Sequence, residues 1–285
     1  MNRIGVIGAG LMGRGLAQTL AQHGLDVVLI DVSDEVLSAA GQAIHDALKA
    51  AALFDPALRD RGAILARITA TTDYAALGQV DMVIENSTED WSVKTAVYAG
   101  LADACRTGCP IAANTSAIPI ARLAALVPDP SRVIGMHFMN PVPHKPLVEV
   151  IRAPATSERA VAAARALLTR IGKRAIVVGD SPGFVTNRVL MLTINEAIAL
   201  VDEGVAPAAD VDALFVGCFA HAMGPLATAD LIGLDTILRS LVVLQDSFGD
   251  AKYAAHPLLR RMVANGHHGR KTGRGFFDYR GRAAA

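Results

Sequence analysis

The chain is poor in several features that mark particular classes of protein. It has 3 cysteines and 5% aromatic residues in 285 residues. Because an odd number of cysteines cannot pair completely, a disulfide-stapled secreted domain is not expected, and free thiols in the cytoplasm are favoured. Lys plus Arg equals Asp plus Glu, at 27 each, so the net charge is zero. This balance argues against a general nucleic-acid or membrane-surface binder.

Long apolar runs and paired metal ligands are also missing. Apolar residues make up 52% of the chain, but they are interrupted too often for a membrane span of about 20 residues. The sequence enters a strand pattern at residues 4–7 with no basic segment before it, so no signal peptide is expected. Cys105 and Cys109 are four residues apart without a second ligand pair, so no metal site is expected.

The first 31 residues have the order strand, glycine-rich turn, helix, strand and acidic residue. The turn reads Gly-Ala-Gly-Leu-Met-Gly over residues 8–13. Gly8 permits a tight turn, Gly10 lets the backbone approach a pyrophosphate, and Gly13 lets helix and strand pack closely. The free N–H groups at the start of the helix then face the phosphates. This order predicts a dinucleotide site, whereas a bare glycine turn with another ligand is the alternative.

Asp31, at the end of the second strand, indicates which dinucleotide binds. A carboxylate at this position can accept hydrogen bonds from both ribose hydroxyls, and it would repel a 2′-phosphate. No arginine follows in Val32-Ser33, so NAD is favoured over NADP. The residues predicted to contact NAD at this end of the site are Gly8, Gly10, Leu11, Met12, Gly13 and Asp31.

Strand and helix patterns alternate to about residue 180, as in a mostly parallel sheet covered by helices. Residues 34–66 are an exception, because two helical stretches follow one another without a strand, which predicts an inserted helical hairpin. After residue 184 the pattern is helical. The sequence thus predicts an α/β fold: a Rossmann-type, doubly wound sheet domain over 1–182 and an all-α C-terminal domain over 183–285. The helical domain carries more apolar positions than it can bury, which suits a homodimer.

His137 lies at the end of a strand, where the ligand cleft of an α/β sheet is found. The next strand carries Glu149 between two valines. A lone carboxylate in an apolar strand is costly unless it is paired, and His137 is the economical partner. Such a pair can serve as a general base, since the carboxylate fixes the imidazole tautomer and stabilises the imidazolium. A purely structural bond between the two strands is the alternative.

For several other polar residues, the sequence allows either a role in the site or a structural role. Ser116 follows a strand and could contact a substrate oxygen, or it could cap the helical segment from Pro119. Asn187 lies in the first turn of the helix entering the second domain, where it could reach a substrate or make a helix-start hydrogen bond. Four residues could line the cofactor site or be solvated: Glu85, Asn86, Glu89 and Lys94.

Taken together, these segments resemble the short-chain 3-hydroxyacyl-CoA dehydrogenase family, of the 3-hydroxybutyryl-CoA dehydrogenase type, from end to end. In addition to the glycine turn, the matching segments are residues 114–116, 137–141, 147–150, 182–188, 223–226, 230–235 and 269–277. The resemblance implies that His137 is the base, that Glu149 orients it, and that Ser116 and Asn187 hold the substrate oxygen. It also implies that Glu89 and Lys94 line the nicotinamide side of the NAD site, and Asn114 is a further candidate contact of NAD.

The family's inserted hairpin helps to hold the phosphates of coenzyme A, and its helical domain forms a dimer. Here the hairpin is sparsely basic, with only Lys49 between Asp34 and Phe54, and Lys49 is the candidate substrate contact. Residues 85–91 and 144–146 also depart from the usual pattern. These departures concern the carrier of the acyl group, which could be coenzyme A or an acyl carrier protein.

The expected activity is therefore NAD-dependent, reversible oxidation of a 3-hydroxyacyl thioester to the 3-oxoacyl thioester. One alternative is the same chemistry on a glyceryl-type unit bound to an acyl carrier protein in a polyketide precursor pathway. A further alternative is a non-catalytic, NAD-binding structural protein. The presence of both His137 and Glu149 argues against the last, because a scaffold does not need them.

Overall fold

The computed structural model describes residues 1–280, apart from the side chain of Ala57. The chain divides into two compact units, Met1–Ser181 and a second unit that begins at Pro182. The first unit contains the whole sheet. Its eight strands are β1 (Arg3–Ile7), β2 (Asp26–Ile30), β3 (Ile68–Thr71), β4 (Met82–Glu85), β5 (Ile111–Ala113), β6 (Val133–His137), β7 (Leu147–Arg152) and β8 (Arg174–Gly179).

The strands form one sheet in the order β3-β2-β1-β4-β5-β6-β7-β8. The first six strands in this order run parallel, β7 is antiparallel to β6, and β8 runs parallel to β7. The carboxyl ends of β1, β2, β4, β5 and β6 therefore share one edge, and the antiparallel β7 starts at that same edge. In open α/β sheets, ligand clefts lie along such an edge, so this topology positions the site.

The helices of the first unit follow the predicted alternation. They are α1 (Leu11–Gln22), α2 (Asp34–Ala51), α3 (Arg61–Leu65), α4 (Trp91–Ala104), α5 (Ile120–Ala124) and α6 (Glu158–Arg170). The predicted hairpin consists of α2 and α3, and the Ser33 hydroxyl caps α2 by accepting from the Val36 N–H. α2 directs Leu37, Ile44 and Leu48 into the core at helical spacing. The Rossmann-type fold with an inserted hairpin is thus confirmed.

The second unit is helical, as predicted. Its helices are α7 (Thr186–Asp202), α8 (Ala208–Phe219), α9 (Pro225–Ile232), α10 (Leu234–Phe248) and α11 (Pro257–Ala264). The buried carboxylate of Asp230 on α9 accepts hydrogen bonds from the N–H groups of Phe276 and Phe277, at 3.0 and 2.9 Å. A Cβ on Gly275 would lie 1.9 Å from this carboxylate, so the glycine is required. The segment at 269–277 is therefore folded onto α9. Within the described part of the chain, no helix is long and apolar enough to cross a membrane.

Candidate active site

The glycine turn between β1 and α1 uses each glycine for a different reason. Gly8 has φ +88°, a conformation that favours glycine. A Cβ on Gly13 would lie 1.7 Å from the Gly8 carbonyl oxygen, so helix and turn could not pack with any larger residue. A Cβ on Gly10 would meet nothing within 4 Å. Gly10 therefore leaves open space at the start of α1, and this cradle fits a pyrophosphate against the free N–H groups of the helix.

Asp31 lies at the end of β2, directly beside this turn. Its carboxylate accepts hydrogen bonds from the N–H of Ala9 at 2.5 Å and from the N–H of Val32 at 2.7 Å. The acidic side chain is thus held at the end of β2, beside the glycine turn, as the sequence predicts. Because the carboxylate is only partly buried, it keeps acceptor capacity on its open side.

His137 and Glu149 meet across strands β6 and β7. The antiparallel register places the two residues directly opposite one another, so their side chains lie on the same face. The Nδ1 atom of His137 is 3.0 Å from Oε2 of Glu149, and both side chains are almost fully buried. A carboxylate can only accept, so the neutral imidazole carries its proton on Nδ1 and leaves Nε2 as an acceptor. This is the tautomer that a general base needs.

Ser116 faces the other ring nitrogen. Its Oγ lies 3.0 Å from Nε2 of His137. The alternative interpretation of Ser116 as the cap of the next helix is wrong. α5 starts after Pro119, and the carboxylate of Asp180 accepts from the N–H groups of its first two residues, Ile120 and Ala121, at 3.0 and 2.7 Å.

Asn114 connects two loops at the carboxyl edge of the sheet. Its amide donates to Oδ1 of Asn86 at 2.7 Å, and its Oδ1 accepts from the N–H of Phe138 at 3.1 Å. It thereby ties the end of β4 to the residue that follows His137. Its half-buried side chain lies beside the histidine loop.

Glu85 and Lys94 form a buried ion pair, and the interpretation of these two residues as solvated is wrong. Nζ of Lys94 donates to both oxygens of Glu85, at 3.0 and 2.8 Å, and neither side chain has any exposed surface. A direct contact of Lys94 with NAD would require the groups that bury it to move. Burial, aided by the charges of Glu85 and Glu89, raises the pKa of the neighbouring Tyr98 hydroxyl well above its usual range.

Three further site candidates are Glu89, Asn187 and Lys49. Glu89, between β4 and α4, directs its carboxylate to the turn at residues 115–117. Asn187 lies in the first turn of α7, in the helical unit. Lys49 lies in the last turn of α2 with an exposed side chain.

A cavity of about 680 Å³ lies between α1, the hairpin and the turn that follows β6. Its wall includes Gln18, whose side chain is buried with 6% of its surface exposed. Of the described residues, Arg14, His23 and His144 supply the basic side chains of the wall, and Lys49 does not line it. The positive charge on this wall therefore comes from Arg14 on α1, whereas the hairpin contributes the carboxylate of Asp55 and not the predicted cation Lys49.

A buried lysine holds the turn on one side of this cavity. Nζ of Lys173, at the start of the loop into β8, donates to the carbonyl oxygens of Val142 and Lys145 at 2.7 Å each. Burial lowers the pKa of this ammonium group. The unusual His-Lys-Pro sequence at 144–146 thus belongs to a turn that is held by the ammonium group of Lys173. Sequence reasoning did not identify Lys173, because no local pattern connects it to residues about 30 positions earlier.

Comparison with known proteins shows which family shares these features. The family model described as "3-hydroxyacyl-CoA dehydrogenase, NAD binding domain" matches residues 3–181, and the model of the C-terminal domain matches residues 183–279. The chain belongs to the 3-hydroxyacyl-CoA dehydrogenase family.

Curated relatives of this family match over nearly the whole chain. A probable 3-hydroxybutyryl-CoA dehydrogenase from Bacillus subtilis is 44% identical over 280 residues, covering 98% of this chain and 98% of the relative. A 3-hydroxybutyryl-CoA dehydrogenase from Clostridioides difficile is 40% identical over 288 residues, covering 97% of this chain and 99% of that protein.

Solved structures of the family also match. The crystal structure of (S)-3-hydroxybutyryl-CoA dehydrogenase from Ralstonia eutropha has a TM-score of 0.93 and 41% identity, over 98% of this chain and 99% of that chain. Membership in the 3-hydroxyacyl-CoA dehydrogenase family confirms the predicted resemblance, and the family's NAD-binding domain over 3–181 confirms NAD as the cofactor. The chain is therefore an NAD-dependent dehydrogenase.

Proposed function

We propose that this chain catalyses the reversible oxidation of the 3-hydroxyl group of a 3-hydroxyacyl-CoA thioester to the 3-oxoacyl-CoA thioester. The observation that carries the proposal is the arrangement of Ser116, His137 and Glu149. They lie at the same sheet edge as the glycine turn, with both ring nitrogens of the histidine in hydrogen-bond contact. Short-chain substrates are favoured, because the curated relatives are named 3-hydroxybutyryl-CoA dehydrogenases.

The cofactor end of the site is assigned to the residues around the glycine turn. The turn with Gly8, Gly10 and Gly13, the N–H groups of Leu11 and Met12, and Asp31 would hold NAD, which accepts a hydride when bound. The open side of Gly10 and the fixed carboxylate of Asp31 support this assignment. Asn114 is assigned to the nicotinamide side through its place beside the loop of His137.

At the chemical end, Nε2 of His137 takes the proton from the 3-hydroxyl group as the C3–H bond breaks. Glu149 keeps the Nδ1 proton in place and stabilises the imidazolium that forms, which is the usual task of a carboxylate behind a catalytic histidine. The hydroxyl of Ser116, which lies beside Nε2, donates a hydrogen bond to the reacting oxygen of the substrate. The family resemblance assigns Asn187 to the same oxygen, and the reverse reaction returns the proton from His137.

Coenzyme A is the proposed carrier, and the cavity beside α1 supports it. The low number of basic residues in the hairpin suggested a carrier protein, because several phosphate charges of coenzyme A need clustered cations. The structure adds Arg14 to the wall of a cavity that the hairpin closes. This guanidinium group, with the amide of Gln18, offers polar contacts that Lys49 does not, while Asp55 adds a carboxylate to the same wall. Lys49 is exposed and does not line this cavity.

We also propose a division of labour between the two domains. Residues 1–182 bind NAD, and residues 183–285 complete the substrate cleft and form a homodimer. Of the twelve residues of α8, only Val211 and Asp212 are buried within the chain, whereas Leu214 and Phe219 are 58% and 67% exposed. Such an apolar helix face is suited to a second copy of the chain.

The free thiols of Cys105, Cys109 and Cys218 suit a cytoplasmic protein.

The test is a panel of 3-hydroxyacyl groups followed through the absorbance of NADH. One acyl group is presented on coenzyme A and on an acyl carrier protein at matched concentration and low salt. We expect turnover with 3-hydroxybutyryl-CoA and a clear preference for coenzyme A over the carrier protein. Equal or better use of the carrier-protein thioester would overturn the choice of carrier, and no turnover on either carrier would overturn the proposed activity. Arg14→Ala should raise KM for the CoA thioester, whereas Lys49→Ala should change it less.

A further inference from the structure

The carboxylate of Glu89 holds the turn that carries Ser116. One oxygen, Oε1, accepts hydrogen bonds from the N–H groups of Ser116 and Ala117, both at 3.1 Å, and from the hydroxyl of Thr115. The Thr115 hydroxyl in turn accepts from the N–H of Ile118 at 3.1 Å. Charge-assisted hydrogen bonds of this kind are stronger than neutral ones. The three residues of the turn are thus fixed against a single carboxylate.

The loop that presents Glu89 is itself fixed from the interior. Nζ of Lys94 is bound to both oxygens of Glu85 and lies 3.9 Å from Oε2 of Glu89. Glu85 also accepts from the N–H and the hydroxyl of Ser87, at 2.6 and 2.5 Å. Because a buried charge is costly without its partners, this arrangement resists rearrangement of the loop. Lys94 therefore acts as an anchor of the loop and not as a surface group.

These contacts continue to the proposed base. The turn held by Glu89 carries the Ser116 hydroxyl, which lies 3.0 Å from Nε2 of His137, and Nδ1 of His137 lies 3.0 Å from Glu149. The participating residues follow or belong to β4, β5, β6 and β7, which are neighbours in the sheet. A series of hydrogen bonds thus crosses the carboxyl edge of the sheet from Glu89 to Glu149, and an ion pair of 3.9 Å joins Glu89 to the buried Lys94.

We propose that Glu89, with Lys94 behind it, is a positioning residue that sets the place of the Ser116 hydroxyl relative to Nε2 of His137. The inference rests on the proposed function, because Nε2 is the atom that takes the proton there. The positioning role is assigned to Oε1 of Glu89, which accepts from three groups of the protein, and it is separate from any contact that the exposed side of this carboxylate makes with the cofactor. Displacement of a catalytic group by about 1 Å can cost a factor of about 100 in rate, so such a support affects turnover directly.

Thr115 offers a specific probe, because it contacts Glu89 but is itself buried with 3% exposed surface. Thr115→Val keeps the shape and removes the hydroxyl, whereas Thr115→Ser keeps the hydroxyl and is the matched control. We expect Thr115→Val to lower kcat by about tenfold or more while the Kd for NADH, measured by fluorescence titration, stays within about twofold. Thr115→Ser should restore most of the kcat. Glu89→Gln changes a partly exposed side chain and replaces Thr115→Val as the test if that variant folds poorly. It should likewise lower kcat while the Kd for NADH stays nearly unchanged.

A second readout does not depend on turnover. The ring nitrogen signals of His137, identified by their loss in His137→Gln, are recorded by NMR in each variant. They should move in Thr115→Val and Glu89→Gln and return in Thr115→Ser. A weaker Kd for NADH with unchanged kcat would overturn positioning in favour of a cofactor contact. Signals of His137 that do not move in Thr115→Val and Glu89→Gln would also overturn the positioning role. A wild type that turns over no thioester would contradict only the proposed function, because the NMR readout does not depend on turnover.

Discussion

His137 and Glu149 are directly paired residues of the antiparallel strands β6 and β7, and Nδ1 of the histidine lies 3.0 Å from Oε2 of the glutamate. The pairing depends on the one reversal of strand direction in the sheet. The tight proline-containing turn at 140–146 allows β7 to return along β6, and Lys173 holds that turn in place. The sheet topology therefore places a carboxylate behind the histidine at the edge where ligands bind.

His137→Gln should lower kcat by a factor of about 100 to 10,000, because a general base typically supplies that much. Binding of NAD should stay near the wild-type level, since the glycine turn is untouched. Steady-state turnover and a separate NADH titration measure the two effects. Glu149→Gln should also lower kcat, but less, because the histidine is still present. Unchanged turnover in His137→Gln would contradict the mechanism.

Asp31 should set the preference for NAD over NADP. Its carboxylate is held beside the glycine turn by the Ala9 N–H, so a 2′-phosphate would meet a fixed negative charge. Asp31→Asn keeps the hydrogen-bond acceptor and removes the charge, whereas Asp31→Ala removes both. We expect both variants to narrow the ratio of kcat/KM between the cofactors, and Asp31→Ala to lose more affinity for NAD. A wild type that uses both cofactors equally well would refute this assignment.

If the proposed homodimer forms, light scattering at micromolar concentration should give a mass near twice 29.8 kDa. Phe219→Glu places a charge on the exposed face of α8 and should shift the population toward the monomer. Phe54→Glu is the matched control, because Phe54 is 90% exposed but lies on the hairpin of the first unit. A wild type that runs as a monomer, or an equal effect of both substitutions, would count against α8 as the interface.

Asp90 should make the stability of the chain depend on pH. Hydrogen bonds from the Ser92 hydroxyl and from the N–H of Val93, at the start of α4, lower the pKa of this carboxyl below 3.8. The stabilisation is therefore present above pH 3.8 and is lost as the pH falls through the lowered pKa. Asp90→Asn still caps the helix but does not titrate. The difference in melting temperature between wild type and variant should be largest near neutral pH and should shrink toward zero in acid. A difference that stays constant with pH would contradict the assignment.

Much of the fold could be predicted from local patterns. The glycine turn, the alternation of strands and helices and the hairpin at 34–66 each follow from residues that are close in sequence. The pairing of His137 with Glu149 was also predictable, because a carboxylate between two valines of a strand requires a partner.

The parts that could not be predicted depend on contacts between segments far apart in the chain. Asp180 caps α5 from about 60 residues away, and the sequence instead offered the nearby Ser116 for that task. The sequence around Lys94 does not indicate whether its side chain is solvated or buried, and only the packing around Glu85 shows that it is buried. Arg14 faces a cavity that exists only when α1, the hairpin and the turn after β6 come together.

The most direct test of the central claim is hydride transfer from a substrate labelled with deuterium at C3. Wild-type protein is mixed with NAD and (3-²H)-3-hydroxybutyryl-CoA, and both products are analysed by mass spectrometry. The proposed reaction predicts one deuterium in NADH, none at C3 of the resulting 3-oxobutyryl-CoA, and a strongly reduced yield with His137→Gln. The formation of NADH without deuterium, or no NADH from either enantiomer of the thioester, would contradict the account.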